Sequence, residues 1–322
     1  MSRIRGRTGI VAGAALAALL APACSLSAQA APADSVTLRF AWPVGTEARV
    51  RYTELHERQG DGGPPTRIEI EGELSMHVHE DQRGLLIEHL DPFVARFQAT
   101  PPLGPDDPQR LVYARLGTPT PHYVVSPEGS ILAVEGAPAL AAAISALVGP
   151  AAPQSGASLA RELLNPPLLL GAARERWNAL VGMWLGISLK VGEPLVAESE
   201  ETNPLVPSVV LPHLYQFELA GMEPCGDTVP AAARTCARVE MTSLPDPAQL
   251  AQIMNQALVD MGLPNLSFDG LAQHTQLSLL TDPETLLPYE LVMSKLVEGI
   301  LKDGAESRVF RRIDGLILVY AY

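Results

Sequence analysis

The chain has 322 residues, with 23 Lys+Arg against 36 Asp+Glu and a formal charge of −13 at pH 7. Its first thirty residues carry three arginines and no acid, so the rest holds 20 basic against 36 acidic residues, a balance of −16. A chain this acidic repels phosphate backbones, which argues against nucleic acid as a partner.

Residues 1–30 read as an export signal. Arg3, Arg5 and Arg7 give a positive start, and Ile10 to Leu20 give an apolar core too short to cross a bilayer. Ala28-Gln29-Ala30 supplies a small-x-small site, which places cleavage before Ala31. Ala21-Pro22-Ala23-Cys24 offers an alternative, a lipoprotein box with an anchor on Cys24, although Pro22 fits that box poorly. The mature protein is expected in the periplasm or outside the cell, and no later stretch reaches the roughly 18 apolar residues of a membrane span. Residues 31–322 are expected to form one α+β domain. A weaker two-part reading divides it into 31–148 and 188–322, joined by the helical stretch 158–185.

The first part is rich in strands. Val36, Leu38, Phe40 and Trp42 alternate with polar positions until Pro43-Val44-Gly45 breaks the run. Strands are predicted over 47–57, 66–79 and 85–97, separated by the turn material QGDGGPP and DQRG. Within RIEIEGELSMHVHED, residues 67–81, one parity is Ile68, Ile70, Gly72, Leu74, Met76 and Val78. The other carries Glu69, Glu71, Glu73, His77 and His79. That is a strand with one apolar and one wet face. The proline-rich stretch 100–121 reads as an irregular connection, and a hairpin is expected around Ser126-Pro127-Glu128-Gly129.

Helices follow. Leu140, Ile144, Leu147 and Val148 have helical spacing, and Ser158 can cap a short helix. Asn165-Pro166 starts a longer one, with the stripe Leu170, Ala173, Trp177, Leu180, Val181 and Trp184. Asp246-Pro247-Ala248-Gln249 caps another, whose stripe is Leu250, Ile253, Met254, Ala257, Leu258 and Met261, with Gly262 and Pro264 as its stop. Further strands are predicted at 188–198, 208–220, 235–243, 268–281, 286–298 and 306–321. Cys225 and Cys236, eleven positions apart between two of these strands in an exported chain, are expected to form a disulfide.

Antiparallel runs with a few amphipathic helices point to α+β: a large curved antiparallel sheet, at the limit a half-open barrel, covered by helices. In outline this resembles the bacterial periplasmic lipoprotein carriers, which hold acyl chains between a curved sheet and helices; the resemblance is one of shape and rests on no shared motif.

Three functional readings follow. Trp177 and Trp184 on one helix, with Met254 and Met261 on the other, would suit the lining of a cavity for an apolar small molecule or a lipidated or protein partner from the envelope. If the core is filled instead, the chain is a structural or interaction module with no ligand. A metal-dependent enzyme is the third reading. On a strand His77 and His79 point the same way about 7 Å apart, and His89 joins them only if the DQRG turn is bulged so that His89 faces His77. The solvated face of a strand explains the two histidines more simply. No nucleophile, phosphate-loop, dinucleotide or zinc-protease motif occurs in the sequence, so no enzymatic activity and no cofactor are expected.

Overall fold

Alternating side chains dictate the architecture. The structure, a computed structural model, describes residues 34–60, 64–116, 121–148, 166–202, 210–226, 234–243, 245–260 and 262–322. The signal sequence with Cys24, the Ser158 cap, Asn165 and Met261 lie outside the described residues. The chain runs β1 (Ser35–Thr37), β2 (Glu47–Gln59), β3 (Thr66–Asp81), β4 (Gly84–Thr100), α1 (Pro108–Leu116), β5 (His122–Val125), β6 (Ile131–Glu135) and α2 (Ala137–Val148). It continues with α3 (Pro166–Leu180), a 3-10 turn (Gly182–Trp184), β7 (Ser188–Lys190), β8 (Leu195–Thr202), β9 (Val210–Pro224) and β10 (Thr235–Ser243). The last elements are α4 (Pro247–Asp260), β11 (Leu266–Thr281), β12 (Pro288–Asp303) and β13 (Glu306–Ala321).

Eleven strands form one antiparallel sheet in the order β6-β5-β4-β3-β2-β13-β12-β11-β10-β9-β8, with β6 and β8 as its free edges, so it does not close into a barrel. Two meanders, β2–β6 and β8–β13, meet at a central seam where β2 pairs with β13 from Arg49↔Ala321 to Arg58↔Arg312 and one residue beyond. The expected α+β class with a large sheet is what the chain adopts.

The run predicted at 188–198 is two strands. Gly192 adopts φ +76, and Glu193 N–H donates to the Lys190 carbonyl, so the chain turns between β7 and β8. β7 leaves the main sheet to pair with β1 through Val36↔Leu189. The stretch 100–121 is also more regular than expected, because it contains α1. Asp107 caps that helix by accepting from Gln109 N–H at 2.8 Å, and Pro108 opens it without wasting a donor.

The inner face of the sheet carries the core: Val50 and Tyr52 of β2, Ile70, Leu74 and Met76 of β3, Leu316 and Leu318 of β13, and Leu277 and Leu279 of β11. Trp177, Leu180, Val181 and Trp184 close over it. Each tryptophan buries about 200 Å², which contributes about 5 kcal/mol before side-chain entropy is counted.

α4 does a different job. Asp246 accepts from Ala248 and Gln249 N–H at its start. Its end is a Schellman turn, with Gly262 N–H to the Val259 carbonyl and Leu263 N–H to the Leu258 carbonyl. Along its length it packs on β11, which runs on beyond the point where β10 stops. There the Asn255 amide donates to the Phe268 carbonyl and accepts from Phe268 N–H. One side chain thus stands in for the missing strand and seals an otherwise open edge.

Candidate functional site

The histidine question turns on one loop. Asp81 pairs with Gly84, so the DQRG hairpin has a two-residue loop, His77 faces Glu88, and His89 faces Met76 on the inner side. A register shorter by one residue reverses the face of every residue beyond the turn. The triad of His77, His79 and His89 therefore does not assemble. His77 and His79 stack with ring centroids 6.0 Å apart on the outer face, beside Glu47 at 3.6 Å and Glu88 at 3.1 Å respectively. His89 is half-buried and bonds through Nδ1 to the Pro121 carbonyl at 3.1 Å. Burial, which outweighs that bond, brings its pKa down to about 4, so it is neutral. Among the described residues no group of three or more His, Cys, Asp or Glu is arranged to hold a metal.

Trp177 and Trp184 lie in the core with their indole N–H groups spent on the carbonyls of Gly129 and Ala179. Phe40, Trp42 and Tyr123 pack around Trp177, with centroids between 5.4 and 6.0 Å. Met254 is half-buried on α4 and stands outside this cluster, so the structure does not bring it together with the tryptophans. The reason is the role of α4, which guards the β11 edge instead of roofing the inner face. Cys225 and Cys236 are bonded, and they pack with Leu280 and Tyr289 in a small separate cluster.

The inner face also holds a charge network. β2 continues the parity of Ala48, Val50 and Tyr52 into Glu54 and His56, and β13 continues that of Leu318 and Leu316 into Asp314. His56 Nδ1 lies 2.8 Å from the Asp314 carboxylate directly across the seam, and its Nε2 lies 3.5 Å from Glu54. Arg176 reaches down from α3 to Glu54 at 3.0 Å, Arg312 binds the other oxygen of Asp314 at 2.5 Å, and Tyr113 of α1 stacks on the imidazole. Burial opposes a charge on His56, but the two carboxylates outweigh it and push its pKa up to about 9. Burial likewise opposes charge on Asp314, and His56 and Arg312 outweigh that, lowering its carboxyl to about 2. An imidazolium facing a carboxylate at each nitrogen has no lone pair for general-base work or metal binding near neutral pH. The network ties α1 and α3 to the seam.

The outer face departs from the polar pattern of β3. On β12 and β13 the cross-strand pairs Val292↔Ile317, Leu296↔Ile313 and Ile300↔Val309 are apolar, and all point away from the core side marked by Met293↔Leu316. Val309 is 67% and Ile317 40% exposed, and Leu55 and Val319 extend the same stripe onto neighbouring positions. On β3 the corresponding face is Glu69, Glu71, Glu73 and Ser75, with Arg96 bonded to Glu71.

No family model matches the chain, and no curated protein matches it either. A solved structure of lipovitellin, described for its lipid–protein interactions, superposes with a TM-score of 0.38 at 13% identity, over 87% of this chain and 25% of that one. This chain thus spans about a quarter of that protein's length. A superposition this loose does not establish a shared fold.

Proposed function

We propose that this is an exported, non-catalytic docking module of the cell envelope, which receives another protein on the outer face of β12 and β13. The carrying observation is the apolar stripe from Val292 to Val309. An antiparallel sheet with one wet face alternates cleanly, as β3 does, and apolar pairs recurring on that face, with Ser294↔Gly315 and the Glu298↔Arg311 ion pair between them, mark an interaction surface with a mixed character. A protein suits it better than an anionic membrane surface, because the mature chain is strongly acidic. The Cys225–Cys236 bond fits an oxidising compartment. A non-catalytic role is supported by His56, whose Nδ1 is held by Asp314 at 2.8 Å while Glu54 lies 3.5 Å from Nε2, which keeps the ring protonated near neutral pH. An enclosed acyl chain or lipidated partner between sheet and helices has less support, since Trp177 and Trp184 fill that space.

Photo-crosslinking in intact cells tests the reading. A photoreactive residue at Val309 or Ile317 should give a discrete heavier adduct, which Ile300→Lys abolishes without changing the thermal midpoint, whereas the same probe at Glu71 should give none. Equal labelling at all three positions would sink it. An adduct of twice the monomer mass would identify the partner as a second copy.

A further inference from the structure

Where α2 and α3 approach β5, the packing leaves a cavity of about 40 Å³, walled by Pro121, Tyr123, Ala137, Leu140, Ala173 and Arg176. That is room for more than one water-sized group and far too little for an acyl chain. Its walls are short and apolar except for two residues, and both of those are donors.

Tyr123 is 1% exposed, and its hydroxyl has no hydrogen-bond partner in the molecule. The ring cannot turn to find one, because Trp177 packs at 5.4 Å and His89 meets it edge-on at 5.6 Å. A buried hydroxyl left unbonded is costly, and the position persists here with the hydroxyl's ring forming the cavity wall. Arg176 supplies the second polar surface while one of its nitrogens bonds Glu54. No acidic side chain lines the cavity among the described residues.

We infer that this cavity binds a carboxylate group, contributed either by a short free acid or by the head of a longer fatty acid whose tail leaves along α2 and α3. The Tyr123 hydroxyl donates to one oxygen, the positive charge of Arg176 balances the anion, and Ala137, Leu140 and Ala173 enclose the first carbons. Tyr123 remains a donor throughout the neutral range, since burial, only partly offset by Arg176, pushes its pKa up to about 12. His89, neutral beside it, adds no positive charge, so the charge that meets the anion comes from Arg176. The inference is independent of the docking face on β12 and β13, which lies on the other side of the sheet.

Titration calorimetry and ¹³C NMR with butyrate, butyramide and oleate test it on the mature, disulfide-bonded protein. Butyrate should bind saturably and butyramide should not. Tyr123→Phe, which keeps the ring, should weaken butyrate at least about tenfold by removing a hydrogen bond to a charged acceptor. Displacement of butyrate by oleate assigns the site to a fatty-acid head, and its absence assigns it to a small acid. If Tyr123→Phe does not fold, Leu140→Phe, which fills the cavity from its half-buried wall, should abolish binding instead. Failure of both carboxylates to bind saturably, or butyrate affinity unchanged in the foldable variant, means that the cavity holds only water and overturns the inference.

Discussion

Arg176 on α3 and Glu54 on β2 meet 3.0 Å apart where the helix comes down on the seam between the two meanders. Glu54 is 5% exposed, so its charge depends on this contact and on the more distant His56. Removing one partner of such a pair costs more than removing both, because Glu54 then stays buried with part of its compensating charge gone. Arg176→Met is expected to lower the unfolding free energy by about 3 kcal/mol, and Arg176→Met with Glu54→Leu to recover over half of it. Urea denaturation decides: a single variant within about 0.5 kcal/mol of the parent would show that the pair does not hold the helix.

The same network sets a pH window. The folded pKa of His56, about 9, lies above its ordinary 6.5, so its stabilisation is complete below 6.5 and is lost as pH rises through 9. The folded pKa of Asp314, about 2, lies below its ordinary 3.8, so its contribution is present above 3.8 and is lost as pH falls toward 2. Stability should therefore peak between these two ordinary values and decline on the alkaline side by about 3 kcal/mol from His56 alone. In His56→Gln that alkaline decline should flatten relative to the parent. Parallel urea-midpoint curves for the two proteins between pH 6 and 10 would rule the histidine out as its source.

What could be read beforehand follows from the range of each cause. Caps and stripes are local, so α3 and α4 stand close to where Asn165-Pro166 and Asp246-Pro247 place them. The same cue at Asp107-Pro108 marks α1, and the surrounding prolines masked it. The register of His89 was not legible, because period-two alternation is equally regular for a two-residue and a bulged loop. The charge network was half legible: a carboxylate and an imidazole continuing the apolar parity of β2 is a visible anomaly at Glu54 and His56. Their partners, 122 positions away at Arg176 and 258 away at Asp314, are set by topology alone. α4 carries a proper amphipathic stripe yet covers an edge, since a stripe says that a face is buried and not against what.

Gly72, on the apolar parity of β3, sits opposite Tyr52. A Cβ there would lie 2.3 Å from the Tyr52 hydroxyl and 2.4 Å from the Phe93 carbonyl, so the tyrosine covers the space that glycine leaves. Because one of the obstructing atoms is backbone, side-chain adjustment cannot relieve the clash. Gly72→Ala should destabilise by about 1–3 kcal/mol, despite the better strand propensity of alanine. A thermal midpoint equal to or above that of the parent would contradict this.

The Cys225–Cys236 bond closes the β9–β10 hairpin over a sequence separation of 11. Removing it with a Cys225→Ala, Cys236→Ala pair should cost about 3 kcal/mol, chiefly by freeing the unfolded chain. The docking stripe on β12 and β13 should keep its crosslinking pattern in that variant, as the disulfide cluster is separate from it. Thiol labelling of the denatured, unreduced parent should find neither cysteine reactive.

His77 and His79 stand together on the wet face of β3, and the third histidine that would complete a metal site is turned into the core opposite Met76. Glu47 and Glu88 already lie beside their ring nitrogens, which gives both imidazoles partners in water without any ion. Exposed pairs of this kind contribute little to stability. The double substitution His77→Ser, His79→Ser should shift the unfolding free energy by less than about 1 kcal/mol. Zinc titration of the purified parent should show no site that is lost in the double variant. Elemental analysis giving one zinc per chain in the parent and none in the variant would mean that two histidines and neighbouring carboxylates suffice as ligands, and that His89 is not needed.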